Sequence, residues 1–241
     1  MQRLFVIITI LLLCLSTASA QDEEYMYEVG GGIGSSWGYG DANRSQLLYN
    51  PKFAYDLIWR YNVNLRWALA VDVSADMLSG DTRDFDNKFP NNVYYDYDTH
   101  LWQLAFRPEF TFWNYGLGSD YREKHRLAPF LTLGLGFGMA HIKSNIDVIP
   151  SKGYPLSKLD QTKAALTVPI GLGLKWKIAP RLNAQLTCMF SKIFSDELDG
   201  IDDPYHTGTT VPMNTDWTGT LKLSITFDFK ERCIECHNQD N

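Results

Sequence analysis

The sequence predicts an all-β protein, an eight-stranded antiparallel up-and-down transmembrane β-barrel of the outer-membrane type. Three observations carry that expectation. Apolar and polar residues alternate with a period of two through eight segments, the signature of strands with two unlike environments. The segments run about 12 to 16 residues, against ~5–6 for globular strands and ~9–11 for a tilted bilayer crossing. The polar faces of the segments carry charges of both signs in balance.

The chain begins "MQRLFVIITILLLCLSTASAQDEE". Arg3, the apolar run Leu4 to Leu15 and the small residues Ala18-Ser19-Ala20 predict a secretory signal peptide over 1–20, with the mature chain starting at Gln21. The run is too short for a membrane span of ~30 Å. Cys14 follows a bulky Leu13 and lies before the better cleavage site, which argues against a lipoprotein. The barrel is expected over 21–230 and a periplasmic tail over 231–241.

The first segment, 24–39, sets Tyr25, Tyr27, Val29, Ile33 and Trp37 against Glu28, Gly30, Gly32 and Gly34. The second, 51–62, sets Phe53, Tyr55, Leu57, Trp59 and Tyr61 against Asp56 and Arg60. In the third, 65–78, Trp67, Leu69, Val71, Val73 and Met77 oppose Arg66, Asp72 and Asp76. The fourth, 99–113, opposes Trp102, Leu104, Phe106, Phe110 and Phe112 to Gln103, Arg107 and Glu109.

The fifth segment, 127–142, reads "LTLGLGFGMA" at its centre, with Leu131, Leu133, Leu135, Phe137 and Met139 on one face. Thr132, Gly134, Gly136, Gly138 and Ala140 occupy the other, where small residues relieve crowding in a narrow barrel. The sixth, 165–178, separates Val168, Ile170, Leu172, Leu174, Trp176 and Ile178 from Thr167, Gly171, Gly173, Lys175 and Lys177. The seventh, 181–195, separates Leu182, Ala184, Leu186, Cys188 and Phe190 from Asn183, Gln185, Thr187 and Ser191. The last, 217–230, puts Trp217, Leu221, Leu223, Ile225, Phe227 and Phe229 opposite Lys222, Ser224, Thr226, Asp228 and Lys230.

In a soluble barrel the apolar face would be the core; in a membrane barrel it meets lipid and the polar face lines the lumen. Trp and Tyr near segment ends (Trp37, Tyr39, Tyr61, Trp67, Trp102, Trp176, Trp217) match interfacial girdles. The polar face carries the acids Glu28, Asp56, Asp72, Asp76, Glu109 and Asp228. Against them stand Arg60, Arg66, Arg107, Lys175, Lys177 and Lys222. Buried charge is tolerable only when partnered, so this balance predicts a closed lumen held by a charge network: Glu28, Asp56, Arg60, Arg66, Asp72, Arg107, Glu109, Lys175, Lys222 and Asp228.

The connections after the second and sixth segments are short, "YNVN" and "APR"; that after the fourth, 114–125, is longer. The other side carries long loops at 40–50, 79–98, 143–164 and 196–215. Short inner turns and long outer loops are the outer-membrane pattern. They place the loops outside and both termini in the periplasm.

The same residues exclude several functions. The chain of 241 residues has 22 basic and 28 acidic side chains and a net charge of −6, which argues against nucleic acid as a partner. A mean hydropathy of −0.23 is what alternation produces by cancellation. Eight strands enclose a lumen filled by side chains, so solute conduction is not expected. The five histidines, His100, His125, His141, His206 and His237, show no H-x-S spacing, so no enzyme is expected. The acid-rich stretches 80–87 and 195–205 do not match EF-hand spacing.

The tail reads "CIECH", Cys233 to His237, the spelling of covalent haem attachment. Only "NQDN" follows, without the apolar mass that would enclose a porphyrin, so no cofactor is expected. Cys233 and Cys236 have redox-pair spacing; a metal site completed by a partner and an inert tail remain the other readings.

Three stretches carry a family resemblance: "EYMYEVGGGIGSSWGYGDAN", "LIWRYNVNLRWALAV" and "KIFSDELDGIDDPY". Through Glu28, Gly30, Gly34, Tyr39, Gly40, Asp41, Arg60, Tyr61, Asn62, Arg66, Trp67, Ala68, Ser195, Asp196, Leu198 and Asp199, the chain resembles the PorG-like outer-membrane β-barrels of Bacteroidetes. Gly200 stands where that pattern has a second Asp. The resemblance implies a component of the type IX secretion system that contacts periplasmic translocon proteins. Residues 21–24, 114–125 and 233–241 are then the partner-facing parts. The other reading is an OmpA/OmpX-type small barrel serving envelope integrity or adhesion, with outer-membrane lipid and lipopolysaccharide around it.

Overall fold

The computed structural model describes residues 25–39, 50–81, 94–117, 124–147, 159–194 and 217–231. They form β1 (Tyr25–Tyr39), β2 (Lys52–Asn62), β3 (Trp67–Asp81), β4 (Tyr94–Thr111) and β5 (Leu127–Leu133). The remaining strands are β6 (Leu135–Asp147), β7 (Leu159–Ala179), β8 (Leu182–Ile193) and β9 (Trp217–Glu231). Each strand pairs antiparallel with its neighbours, and β1 closes on β9 from Tyr25↔Glu231 to Tyr39↔Trp217. β5 and β6 are two halves of one stave, so the nine strands make an eight-stave barrel.

The break between β5 and β6 falls at Gly134, and its cause is local. The register runs on unbroken, with Glu109↔Thr132 and Phe106↔Leu135 against β4, and Leu133↔Ile170 and Gly136↔Thr167 against β7. That register sets Leu133 against Pro108 and Gly134 against Pro169, and proline has no N–H for the ladder. Gly134 still donates its N–H to the Pro169 carbonyl at 2.8 Å. A Cβ on Gly134 would lie 2.6 Å from both Arg107 Cγ and the Phe106 carbonyl oxygen, so only glycine fits.

The strands reach further on the long-loop side than their apolar patterning foretells. β3 runs to Asp81, β4 starts at Tyr94, β6 ends at Asp147 and β7 starts at Leu159, inside the expected loops 79–98 and 143–164. Backbone pairing needs no apolar face, so these hairpins continue as ladders beyond the point where alternation stops. At the opposite end β3 begins at Trp67, two residues later than expected. Asn64 Oδ1 accepts from the N–H groups of Arg66 and Trp67, each at 2.8 Å, an Asx-type turn that keeps 63–66 out of the strand.

Burial settles which face looks out. Along β2, Phe53 and Leu57 are 69% and 67% exposed, whereas Asp56 and Arg60 are buried. Every stave repeats this inversion, from Ile33 on β1 to Ile225 on β9. A continuous apolar exterior around buried charges cannot face water; it is the lipid face of a transmembrane barrel. Among the aromatic residues expected at the girdles, Trp67, Trp102, Trp176 and Trp217 are exposed, but Trp37 is only 2% exposed. Trp37 is paired with Gly219, where a Cβ would run into its indole ring, and Phe190 meets it edge-on at 6.3 Å.

Candidate functional site

Among the described residues, the lumen is where the fold gathers its buried charged side chains. Inward positions are even on β1, β2, β3, β6 and β9 and odd on β4, β7 and β8. Ring closure brings these sets face to face.

Nearest the short turns, Lys177 pairs with Asp228. Asn183 donates from Nδ2 to Asp228 Oδ1 at 2.7 Å, and the Tyr115 hydroxyl donates to Asn183 Oδ1 at 2.9 Å. The Lys177 ammonium lies 5.6 Å from the Tyr25 ring centre and 5.9 Å from that of Tyr115. Burial, together with the carboxylates of Glu28 and Asp228, holds the Tyr115 phenol above its usual range, so it stays a proton donor. The two tyrosines cap this end of the lumen.

The next layer centres on Arg60. Its guanidinium grips Glu28 from one side and donates from Nε to Glu109 Oε2 at 2.8 Å on the other. Lys175 Nζ reaches the same Glu109 oxygen at 2.7 Å. Asn62 and Thr226 donate to Glu28 at 2.9 and 3.1 Å, and Gln185 accepts from Arg60 Nη2. The layer holds three carboxylates, counting Asp228, and three cations, counting Lys177. Its groups come from six different strands.

Farther along the axis, Arg107 pairs with Asp72 at 3.2 Å and donates to the Met189 sulfur at 3.1 Å. Lys222 lies 2.7 Å from Asp76, which also accepts from Ser74 at 3.3 Å. Asp56 accepts only from Ser224, at 3.3 and 3.4 Å. Among the described residues it has no cation within ion-pair distance. Beyond this layer the lumen turns apolar: Leu78, Tyr97, Leu101, Ala140, Ile142 and Ile193 form a buried cluster.

The structure thus brings Glu28, Asp56, Arg60, Asp72, Arg107, Glu109, Lys175, Lys222 and Asp228 into the lumen, with Asp76 and Lys177. Arg66 corrects the expectation. It is exposed, in the turn before β3, and donates from Nε to Asn114 Oδ1 at 3.0 Å. The Asn64-capped turn takes it out of the strand whose parity pointed it inward. Among the described residues the interior therefore holds six buried carboxylates (Glu28, Asp56, Asp72, Asp76, Glu109, Asp228) against five buried cations (Arg60, Arg107, Lys175, Lys177, Lys222). Tyr115, Gln185, Asn183 and Met189 complete the network. Of these, Tyr115 lies in a turn and carried no strand periodicity to reveal it.

The arrangement ties staves to one another through paired charges inside the barrel. Among the described residues, no three His, Cys, Asp or Glu side chains converge as metal ligands. His100 and His141 are cross-strand neighbours. His141 sits 3.4 Å from Asp160 and 3.2 Å from Thr162, and His125 packs on Trp113 at 5.7 Å. Cys233, Cys236, His206 and His237 lie outside the described residues, as do the stretch 195–205 and most of 80–87.

Comparison with known proteins agrees with this architecture. The family described as "Domain of unknown function (DUF6089)" matches residues 2–238. No curated protein matches the chain. Among solved structures, Neisserial surface protein A (NspA) is similar at TM-score 0.50 and 11% identity, covering 84% of this chain and 97% of its own. The attachment invasion locus protein Ail of Yersinia pestis, in complex with the heparin analogue sucrose octasulfate, aligns at TM-score 0.47 and 15% identity, over 86% and 99%. The N-terminal β-barrel domain of Pseudomonas aeruginosa OprF aligns at TM-score 0.44 and 14% identity, over 86% and 100%. The likeness is one of fold: all are small eight-stranded outer-membrane barrels.

Proposed function

The chain belongs to the DUF6089 family, and we propose that it serves as a sealed, non-enzymatic barrel of the outer membrane, with both termini in the periplasm. The observation that carries this reading is the inverted burial: among the described residues eleven charged side chains are buried in the lumen, while a band of large apolar residues on every stave faces out. Cross-lumen ion pairs and the apolar cluster at one end occupy the lumen with side chains, which supports a barrel that conducts no solutes. A barrel of this kind acts by presenting its rims and loops to partners.

The finer reading is that it is a PorG-like component of the type IX secretion translocon, contacting periplasmic proteins. It rests on the resemblance carried by "EYMYEVGGGIGSSWGYGDAN", "LIWRYNVNLRWALAV" and "KIFSDELDGIDDPY". The alternative is an OmpA/OmpX-type barrel for envelope integrity or surface adhesion, for which the sealed lumen is equally suited. Deletion in the native host, followed by measurement of secreted cargo, separates them. Loss of secretion with the protein found in the outer-membrane fraction is the expected result. Normal secretion removes the translocon role, and a protein recovered soluble without detergent removes the barrel reading as well.

A further inference from the structure

Among the described residues the two rims of the barrel differ in charge. At the short-turn rim they include Arg66, Lys124, Arg126, Arg181 and Lys230. At the opposite rim, acids such as Asp98 and Asp160 alternate with Lys143 and Lys163. The cations of the short-turn rim are spread round the ring. Arg66 lies in the β2–β3 turn, Lys124 and Arg126 before β5, Arg181 in the β7–β8 turn, and Lys230 at the end of β9 beside β1.

Three of them also share a depth. Arg66 adjoins Trp67, Arg126 adjoins Leu127 and Lys230 adjoins Phe229, and these three neighbours are exposed on the lipid face. A cation one residue past the last lipid-facing side chain sits at the level of headgroup phosphates. None of Arg66, Arg126 and Lys230 has a carboxylate within ion-pair distance among the described residues. Lys230 adds an independent sign. Its φ is +59°, a left-handed conformation that costs a lysine free energy and marks positions held for function. The parity of β9 would aim it at the lumen beside Asp228. Instead its ammonium lies over the ring of Tyr27, 5.6 Å from the centre, on the outer girdle.

We propose that this rim is a collar that binds the headgroups of anionic phospholipids in the adjoining leaflet. The proposal rests on reading the apolar exterior as a lipid face. Lipid fits better than a docked protein, because a protein would cover one sector, whereas Arg66, Arg126 and Lys230 share one depth on three different staves.

The test reconstitutes the full chain in detergent with equimolar phosphatidylglycerol and phosphatidylcholine and counts retained lipids by native mass spectrometry. With each engaged cation contributing ~1 kcal/mol near the surface, phosphatidylglycerol should be enriched about fivefold, and 0.5 M salt should abolish the preference. The combined variant Arg66→Gln, Arg126→Gln, Arg181→Gln and Lys230→Gln should retain both lipids about equally. Lys143→Gln with Lys163→Gln at the other rim should keep the wild-type enrichment. If the combined variant does not fold, Arg126→Gln alone should lower the enrichment about twofold. Equal retention by the wild type, or enrichment that survives the rim substitutions, overturns the collar. A preference shown instead for a co-purifying acidic protein overturns it too. Failure of the wild type to enter bilayers would reject the lipid-face reading itself.

Discussion

Arg60 on β2 and Glu109 on β4 meet across the barrel at 2.8 Å, with no more than 1% of either side chain exposed. β3 lies between their strands, so the bond spans the lumen and is no part of a ladder. Glu109 also takes Lys175 from β7, tying three staves at one carboxylate. Removing one member of such a pair leaves buried charge uncompensated, typically at ~3–5 kcal/mol. Glu109→Gln is therefore expected to lower unfolding stability by about that amount, read from urea titration of the reconstituted barrel. A loss below about 1 kcal/mol would mean that water reaches Arg60 and Lys175 and that the lumen is open.

Asp56 makes the contrasting case. It is buried, accepts only from Ser224 and has no ion-pair partner among the described residues. Its layer holds three carboxylates against Lys222 and Arg107. Asp56→Asn equalises the charges, so stability should change by less than about 1 kcal/mol or rise, since an unpaired buried charge is itself costly. A loss as large as that of Glu109→Gln would mean that Asp56 holds an ion or a partner of its own.

The lipid face can be probed by depth. Leu172, midway along the apolar band of β7, is 64% exposed, while Leu182 follows the β7–β8 turn. Leu172→Arg should cost ~2–4 kcal/mol in a bilayer and Leu182→Arg ~0–1. Equal, negligible effects at both positions would put the band in water and reverse the orientation of every stave.

At the apolar end of the lumen the Tyr97 ring lies against Gly80. A Cβ on Gly80 would come 2.5 Å from Cε1 and 3.2 Å from the hydroxyl oxygen of Tyr97, with no backbone atom among the closest neighbours. Gly80→Ala is expected to destabilise by ~1–3 kcal/mol through overpacking. In the background of Tyr97→Ala the same substitution should be nearly silent, a coupling visible in a double-mutant cycle. Additive effects would mean that the ring does not lie over Gly80.

For the C-terminal tail, Cys233→Ser with Cys236→Ser should leave membrane insertion unchanged, measured by heat-modifiable gel migration. The purified wild type should also be negative to haem staining. A positive stain would show that "CIECH" carries the cofactor its spelling suggests.

Alternation made each stave and the two faces of most residues readable one segment at a time, because side chains on a strand reverse direction at every residue. Arg66 and Lys230 escaped that rule because turn geometry interrupts it, through the Asn64 cap in one case and a left-handed backbone in the other. The outward reach of β3, β4, β6 and β7 escaped it too, since the apolar alternation in the sequence stops before the backbone ladder does. The split at Gly134 lay in Pro108 and Pro169, which are far apart in sequence and opposed only after pairing.

By itself, the sequence determined that the chain makes eight long antiparallel staves, and which charges share a face with which glycines. Only the tertiary structure decided who meets whom across the lumen: Arg60 with Glu28 and Glu109, Lys177 with Asp228, and Asp56 with no cation in ion-pair contact among the described residues. Parity is a property of one strand, fixed by local backbone geometry. Partnership depends on the stagger of all the staves, and that stagger is set only when β1 closes on β9.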